Sequence, residues 1–143
     1  MAAYNKHNAF VENVAEKVHD LGADTLKVLL TLTAPVATNS VKADLTEIAA
    51  GNGYSAGGTA ATVTTSSQSS GTYTLAANQV VFTASGGSIA NFRYPDLYND
   101  TPTSPADPLI AWWDYGSTLT VADGETFTVK FNNANPGTIF TLV

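Results

Sequence analysis

The chain holds two histidines, His7 and His19, twelve carboxylates and no cysteine. Nucleophilic or general-base catalysis needs a base beside a nucleophile or an orienting carboxylate. Nothing in the sequence ties either histidine to such a partner, and His19-Asp20 reads as an ordinary helix-end pair. With no cysteine and no HxH or HExxH spacing, the residues do not spell a zinc site. Four carboxylates, Asp96, Asp100, Asp107 and Asp114, fall close together in the sequence. A glycosidase requires two carboxylates at a defined separation. Asp100 and Asp107, however, stand among Thr, Ser and Pro, where Asp is turn chemistry. No D-x-D-x-D-G calcium loop is formed. Asn99-Asp100-Thr101 matches the glycosylation triplet, but the opening MAAYNKHNAFVENVAEKV lacks the apolar core of a secretory signal. The expectation is a non-enzyme with no catalytic residue, no metal and no cofactor.

Composition narrows the class. The chain has 143 residues, enough for one domain with a real core. Only 13% of residues are charged, about half the usual share, and twenty are threonine. Thr and aromatic residues favour pleated, half-buried surfaces, while Gly and Asn favour tight turns. A net charge of −6, with six scattered Lys and Arg, argues against a phosphate backbone as partner. No stretch reaches the roughly 18 apolar residues that span a bilayer. The expected chain is soluble, made in a cytosol, and binds neither nucleic acid nor membrane.

Periodicity supplies the elements. Residues 9–21 place Phe10, Val11, Val14, Val18 and Leu21 at helical spacing, and Gly22 follows as a stop signal. The pattern predicts a short amphipathic helix or arm over residues 1–22, set before a β-domain over residues 23–143. That segment either covers an open end of a sheet or docks on a neighbouring subunit, and Phe10 and Val14 are its contact candidates. DTLKVLLTLTA then alternates as a strand ended by Pro35. A helical turn is expected within residues 40–53, closed by Gly51, followed by a flexible connection at YSAGGTA. Strand signals next recur every 8–12 residues: 61–67 and 71–77 as a hairpin joined near residues 68–70, then 79–85, 88–100, 108–116, 117–123, 125–131 and 138–143. Pro95 marks the 88–100 strand as an edge or a bulge. About nine strands suggest an antiparallel β-sandwich of jelly-roll or Ig-like type.

Aromatic side chains concentrate in two of these strands. Phe92, Tyr94, Tyr98, Trp112, Trp113 and Tyr115 lie on either side of a loop, with Arg93 and Asp114 among them. Neighbouring strand residues point to opposite faces, so Trp112 and Trp113 cannot share one. One face is core. The other packs within the chain, forms a subunit interface or stacks against sugar rings. Aromatics with Arg are typical of interface hot spots.

The motifs KVLLT, KADLTEI, NGY, TASGGS, FRYPDLYND, PLIAWWDYG and DGETF occur in that order after residue 20. In order and content they resemble a group of small virion proteins of tailed bacteriophages, where Gly more often stands at the position of Ala111. The resemblance implies a structural protein on the capsid surface, assembled in the host bacterial cytoplasm. The implied role is a decoration or cement protein that binds the major capsid protein, and itself as a homotrimer. A tail or baseplate component and a surface-exposed carbohydrate-binding module are the alternatives. No binding residue carries over from the group.

Overall fold

Leu26, Val28 and Leu30 alternate along β2 (Leu26–Thr31), and all three are buried on one face. A strand patterned in this way needs neighbours on both edges and a partner layer. In the computed structural model, which describes residues 2–143, it has both. β2 pairs with β3 (Thr59–Ala61) on one side and with β7 (Tyr94–Asn99) on the other. β7 pairs with β8 (Leu109–Trp112), and β8 with β1 (Asn5–Lys6). The result is a five-stranded antiparallel sheet of order β1-β8-β7-β2-β3. A second sheet has the order β10-β5-β4, from β4 (Val63–Ser69), β5 (Thr72–Ala77) and β10 (Gly137–Leu142). β6 (Val80–Thr83) and β9 (Thr126–Val129) form a two-stranded third.

The protein is thus mainly β, with antiparallel sheets and one short helix near the N-terminus. Its main core lies between the layers. Leu26, Val28, Leu30, Leu97 and Ile110 of the large sheet meet Leu75, Ala77 and Ile139 of the second and Phe82 and Val129 of the third. At roughly 1.5–3 kcal/mol per fully buried large apolar side chain, this cluster is the main source of stability.

The reverse face of the large sheet carries Leu29, Tyr98 and Leu109, covered by Leu45. Residues 45–58 are tied to the large sheet by polar contacts. The Tyr98 hydroxyl donates to the Gly57 carbonyl at 2.7 Å. Tyr54 accepts from the Leu30 amide at 3.1 Å and donates to Glu47 at 2.7 Å. Gly58 has φ +75°, and a Cβ there would overlap the Val28 carbonyl. The glycine-rich run expected to be flexible is therefore a close-packed crossing of backbone over β2. The helical turn expected in residues 40–53 is three residues long, Lys42–Asp44, and Gly51 belongs instead to a tight turn bridged to Tyr54.

Helix α1 runs from Ala9 to Ala15, six residues short of the predicted end. Lys17 enters the left-handed region at φ 64°, and the amides of Lys17 and Val18 close on the carbonyls of Val14 and Asn13. Gly22 is not needed as the stop. The short helix leaves Val11 exposed, while Phe10 enters the main core and Val14 packs at its margin. Residues 5–10 thus complete both the edge and the core of the domain that follows them.

Two strand expectations also change. Residues 117–123 form no strand, only a bridge from Leu119 to Phe92. Pro95 is not on an edge: β7 lies between β2 and β8. The ring nitrogen is tolerated because Pro95 faces Trp113, just past the end of β8, where only its carbonyl is used, accepting the Trp113 amide at 3.0 Å. The expected bulge is present one strand over. Leu97 pairs with Ala111 and Tyr98 with Leu109, which leaves Ile110 as the extra residue.

Candidate functional site

The antiparallel pair β7–β8 carries Tyr94, Tyr98 and Trp112, with Phe92, Trp113 and Tyr115 in the segments flanking it, and the two adjacent tryptophans point in opposite directions. Trp113 points into the main core and is 5% exposed. Its ring lies edge-on to Tyr4 at 5.8 Å and tilted against Phe131 at 5.6 Å. Trp112 stays half-buried on the reverse face, where its ring lies 4.6 Å from that of His7.

Beneath Trp112 lies a contact that the sequence did not suggest. His7 Nε2 is 3.0 Å from Asp96 Oδ2, and both side chains are fully buried. β1 brings His7 there by pairing Asn5 with Trp112 and Lys6 with Ala111, and the next amide, of His7, donates to the Ile110 carbonyl. Asp96 sits opposite Trp112 on β7. His7 Nδ1 and Asp96 Oδ1 have no hydrogen-bond partner among the described residues. Burial pushes the Asp96 carboxyl up to about 6, against the opposing hydrogen bond from His7. Shut away from solvent, the pair serves as a polar rivet between the N-terminal strand and the sheet centre. One signal was present: Asp96 is the only charged residue inside the otherwise apolar and aromatic YPDLY.

The neighbouring residues form an accessible rim. Arg93 donates to Asp114 through Nε at 2.7 Å and through a terminal nitrogen at 2.9 Å. This fork, ahead of the Gly116 amide, holds the Asp114 carboxyl below the usual carboxylate range. The Arg93 guanidinium also lies 5.3 Å from the Tyr94 ring centre. Tyr115 is 53% exposed and meets Phe127 edge-on at 5.9 Å. Beside it opens a groove of about 660 Å³ lined by Pro95, Trp113, Asp114, Tyr115, Phe127 and Lys130. Such a mixture of aromatic faces, a fixed ion pair and a cation suits binding.

Of the nine contact candidates, Arg93, Tyr94, Trp112 and Val14 are half-buried and Tyr115 is exposed. Phe10, Phe92, Tyr98 and Trp113 are buried inside the chain. The four clustered aspartates separate: Asp96 meets His7, Asp100 pairs with Lys27 at 2.7 Å, Asp107 occupies a left-handed turn, and Asp114 meets Arg93.

The second histidine is also buried. Asn99 Nδ2 donates to His19 Nδ1 at 3.1 Å and to Asp24 at 2.6 Å. Burial lowers the His19 pKa to about 4, only partly opposed by Asp24. Between pH 4 and 6.5 the unfolded chain binds more protons at His19 than the folded one, so this group stabilises the fold as pH rises through that window. Asp96 acts in the opposite sense. Its folded pKa is raised, so its contribution is complete below the unfolded value and is lost as pH rises through about 6. The two trends offset in the wild type. In urea unfolding at pH 4.5, 5.5 and 6.5, the expected midpoint is nearly constant for the wild type. It falls with pH for His19→Gln and rises with pH for Asp96→Asn.

Comparison with protein-family models, with curated proteins and with solved structures finds no match to this chain.

Proposed function

We propose that this chain is a non-enzymatic structural protein of a tailed-bacteriophage particle, a head decoration protein that binds the major capsid lattice and stabilises it. The setting comes from the ordered motifs from KVLLT to DGETF. The observation that carries a binding role is the set of Arg93, Tyr94, Trp112 and Tyr115 on and beside the β7–β8 pair, with the Arg93–Asp114 fork fixing the ends of the two segments together. Aromatics and arginine on a fixed scaffold give contact area at low ordering cost. Burial at roughly 25 cal/mol per Å² of apolar area, repeated by the symmetry of a shell, turns a modest contact into a cooperative brace.

Fractionation of virions tests this reading. The protein is expected on heads, and adding it to undecorated heads is expected to raise their disruption temperature. Arg93→Ala with Tyr115→Ala is expected to lower occupancy at least tenfold. Recovery in tail or baseplate fractions alone would reassign it to those structures. The groove beside Tyr115 favours one second reading, a carbohydrate-binding surface displayed on the particle, with Tyr115 as stacking platform. Saccharide arrays that leave the protein unbound remove it.

A further inference from the structure

Between Glu47 and Arg93 the chain contains no charged residue, and none follows Lys130. β4, β5 and β10 all fall within these two stretches, so the three-stranded sheet carries no formal charge in a protein of net charge −6. β4 forms one edge of that sheet and pairs only with β5. Its composition, VTTSSQS, includes neither Lys nor Pro nor any acidic residue. Edges of sheets are usually blunted by such residues or by being short. The large sheet follows that rule: its edge strands have two and three residues. β4 has seven, and its register shift is confined to the start, between Val63 and Thr65.

The register shows which groups are free. Ser69 pairs with Thr72 around a two-residue turn in which Ser70 and Gly71 both have positive φ, 49° and 82°. The closing pair of such a hairpin exchanges both hydrogen bonds, and the pattern alternates from there. Ser67 and Ser69 therefore bond to β5, whereas Ser66 and Gln68 turn their amides and carbonyls outward. Among the described residues, no backbone group bonds to them from that side.

We infer that β4 pairs antiparallel with β4 of a second copy of this chain, about a two-fold axis, joining two three-stranded sheets into one of six strands. An antiparallel edge is its own complement: each outward amide of one copy meets an outward carbonyl of the other. Ser, Thr and Gln side chains make acceptable cross-strand neighbours. The absence of charge favours this sheet, because two bodies of net charge −6 repel least where neither carries charge. Of its two edges β4 is the longer, and β10 is interrupted in mid-strand between Thr138 and Phe140. The inference does not rest on the capsid reading.

Sedimentation equilibrium at about 100 μM protein tests it. The expected mass is twice 14.9 kDa. Ser67→Lys with Ser69→Lys, both at exposed positions, is expected to weaken the dimer at least tenfold and return the monomer mass, with an unchanged urea midpoint when both proteins are diluted until they are monomeric. Because the chain lacks cysteine, Ser67→Cys provides a single thiol beside the axis. Mild oxidation is expected to convert it to a covalent dimer, while Tyr115→Cys, on the rim beside β8, stays monomeric on a denaturing gel. A wild-type monomer or trimer overturns the inference. So does a dimer that tolerates both lysines, or a failure of Ser67→Cys to cross-link should the lysine variant not fold.

Discussion

Asp96→Ala is expected to cost about 3–5 kcal/mol of folding stability, the range for breaking a fully buried polar pair from one side. The physical reason lies with the partner left behind. Among the described residues the His7 ring has Asp96 as its sole hydrogen-bond partner, its Nδ1 is already unpartnered, and the ring is fully buried beneath Trp112. Without the carboxylate, both ring nitrogens sit dry and unsatisfied, a condition that costs far more than the lost bond contributed. The double variant His7→Leu with Asp96→Val removes both needs at once. It is expected to recover to within about 1–2 kcal/mol of the wild type, as apolar replacements of buried pairs commonly do. Urea unfolding of the two single variants and the double closes the cycle. A loss below about 1 kcal/mol for Asp96→Ala would show that the pair is not the rivet described above.

Phe92→Ala is expected to cost about 3–5 kcal/mol, whereas Tyr115→Ala costs about 1 kcal/mol or less. Both residues belong to the same aromatic series in the sequence, and both lean on Phe127. The Phe92 ring is 4.9 Å from it and has no exposed surface, while the Tyr115 ring is 5.9 Å from it and half in water. Truncating Phe92 opens a cavity where Phe127, Phe82 and Tyr54 stack in succession. Truncating Tyr115 removes a contact whose area solvent already reaches. Thermal and urea unfolding separate the two. Particle binding, if it follows the rim, reverses the ranking once each variant is compared at equal folded fraction.

What could be read in the sequence and what could not divide along physical lines. β2 was legible because Leu26, Val28 and Leu30 alternate without interruption. The β4–β5 hairpin was legible because a small polar turn separates two Thr-rich runs. Both signals are local. The helix was overextended because its apolar spacing continues to Leu21, although the backbone breaks at Lys17; residues 18–21 bury Leu21 from a loop. Pro95 misled because its missing donor matters only if a neighbour needs it, and β8 ends before that point. The concentration of aromatics in two strands either side of a loop was legible, but a pleat alone cannot say which face meets solvent. The Ile110 bulge sets that, putting Trp113 inside and Trp112 above His7. The His7–Asp96 pair was out of reach. Its members are 89 positions apart, and no spacing rule joins residues at that distance.

That separation bears on how the protein acquires its shape during synthesis. β1 and the ring of His7 have nothing to bind until β7 and β8 exist. At the usual elongation rate of 5–20 residues per second, making the 89 positions from His7 to Asp96 takes roughly 5–20 s. Throughout that interval Tyr4, His7 and Phe10 have no core to enter, even after the β4–β5 hairpin can close within microseconds. β1 therefore cannot dock before β8 has been made, and in the meantime its residues stay open to chaperones and proteases.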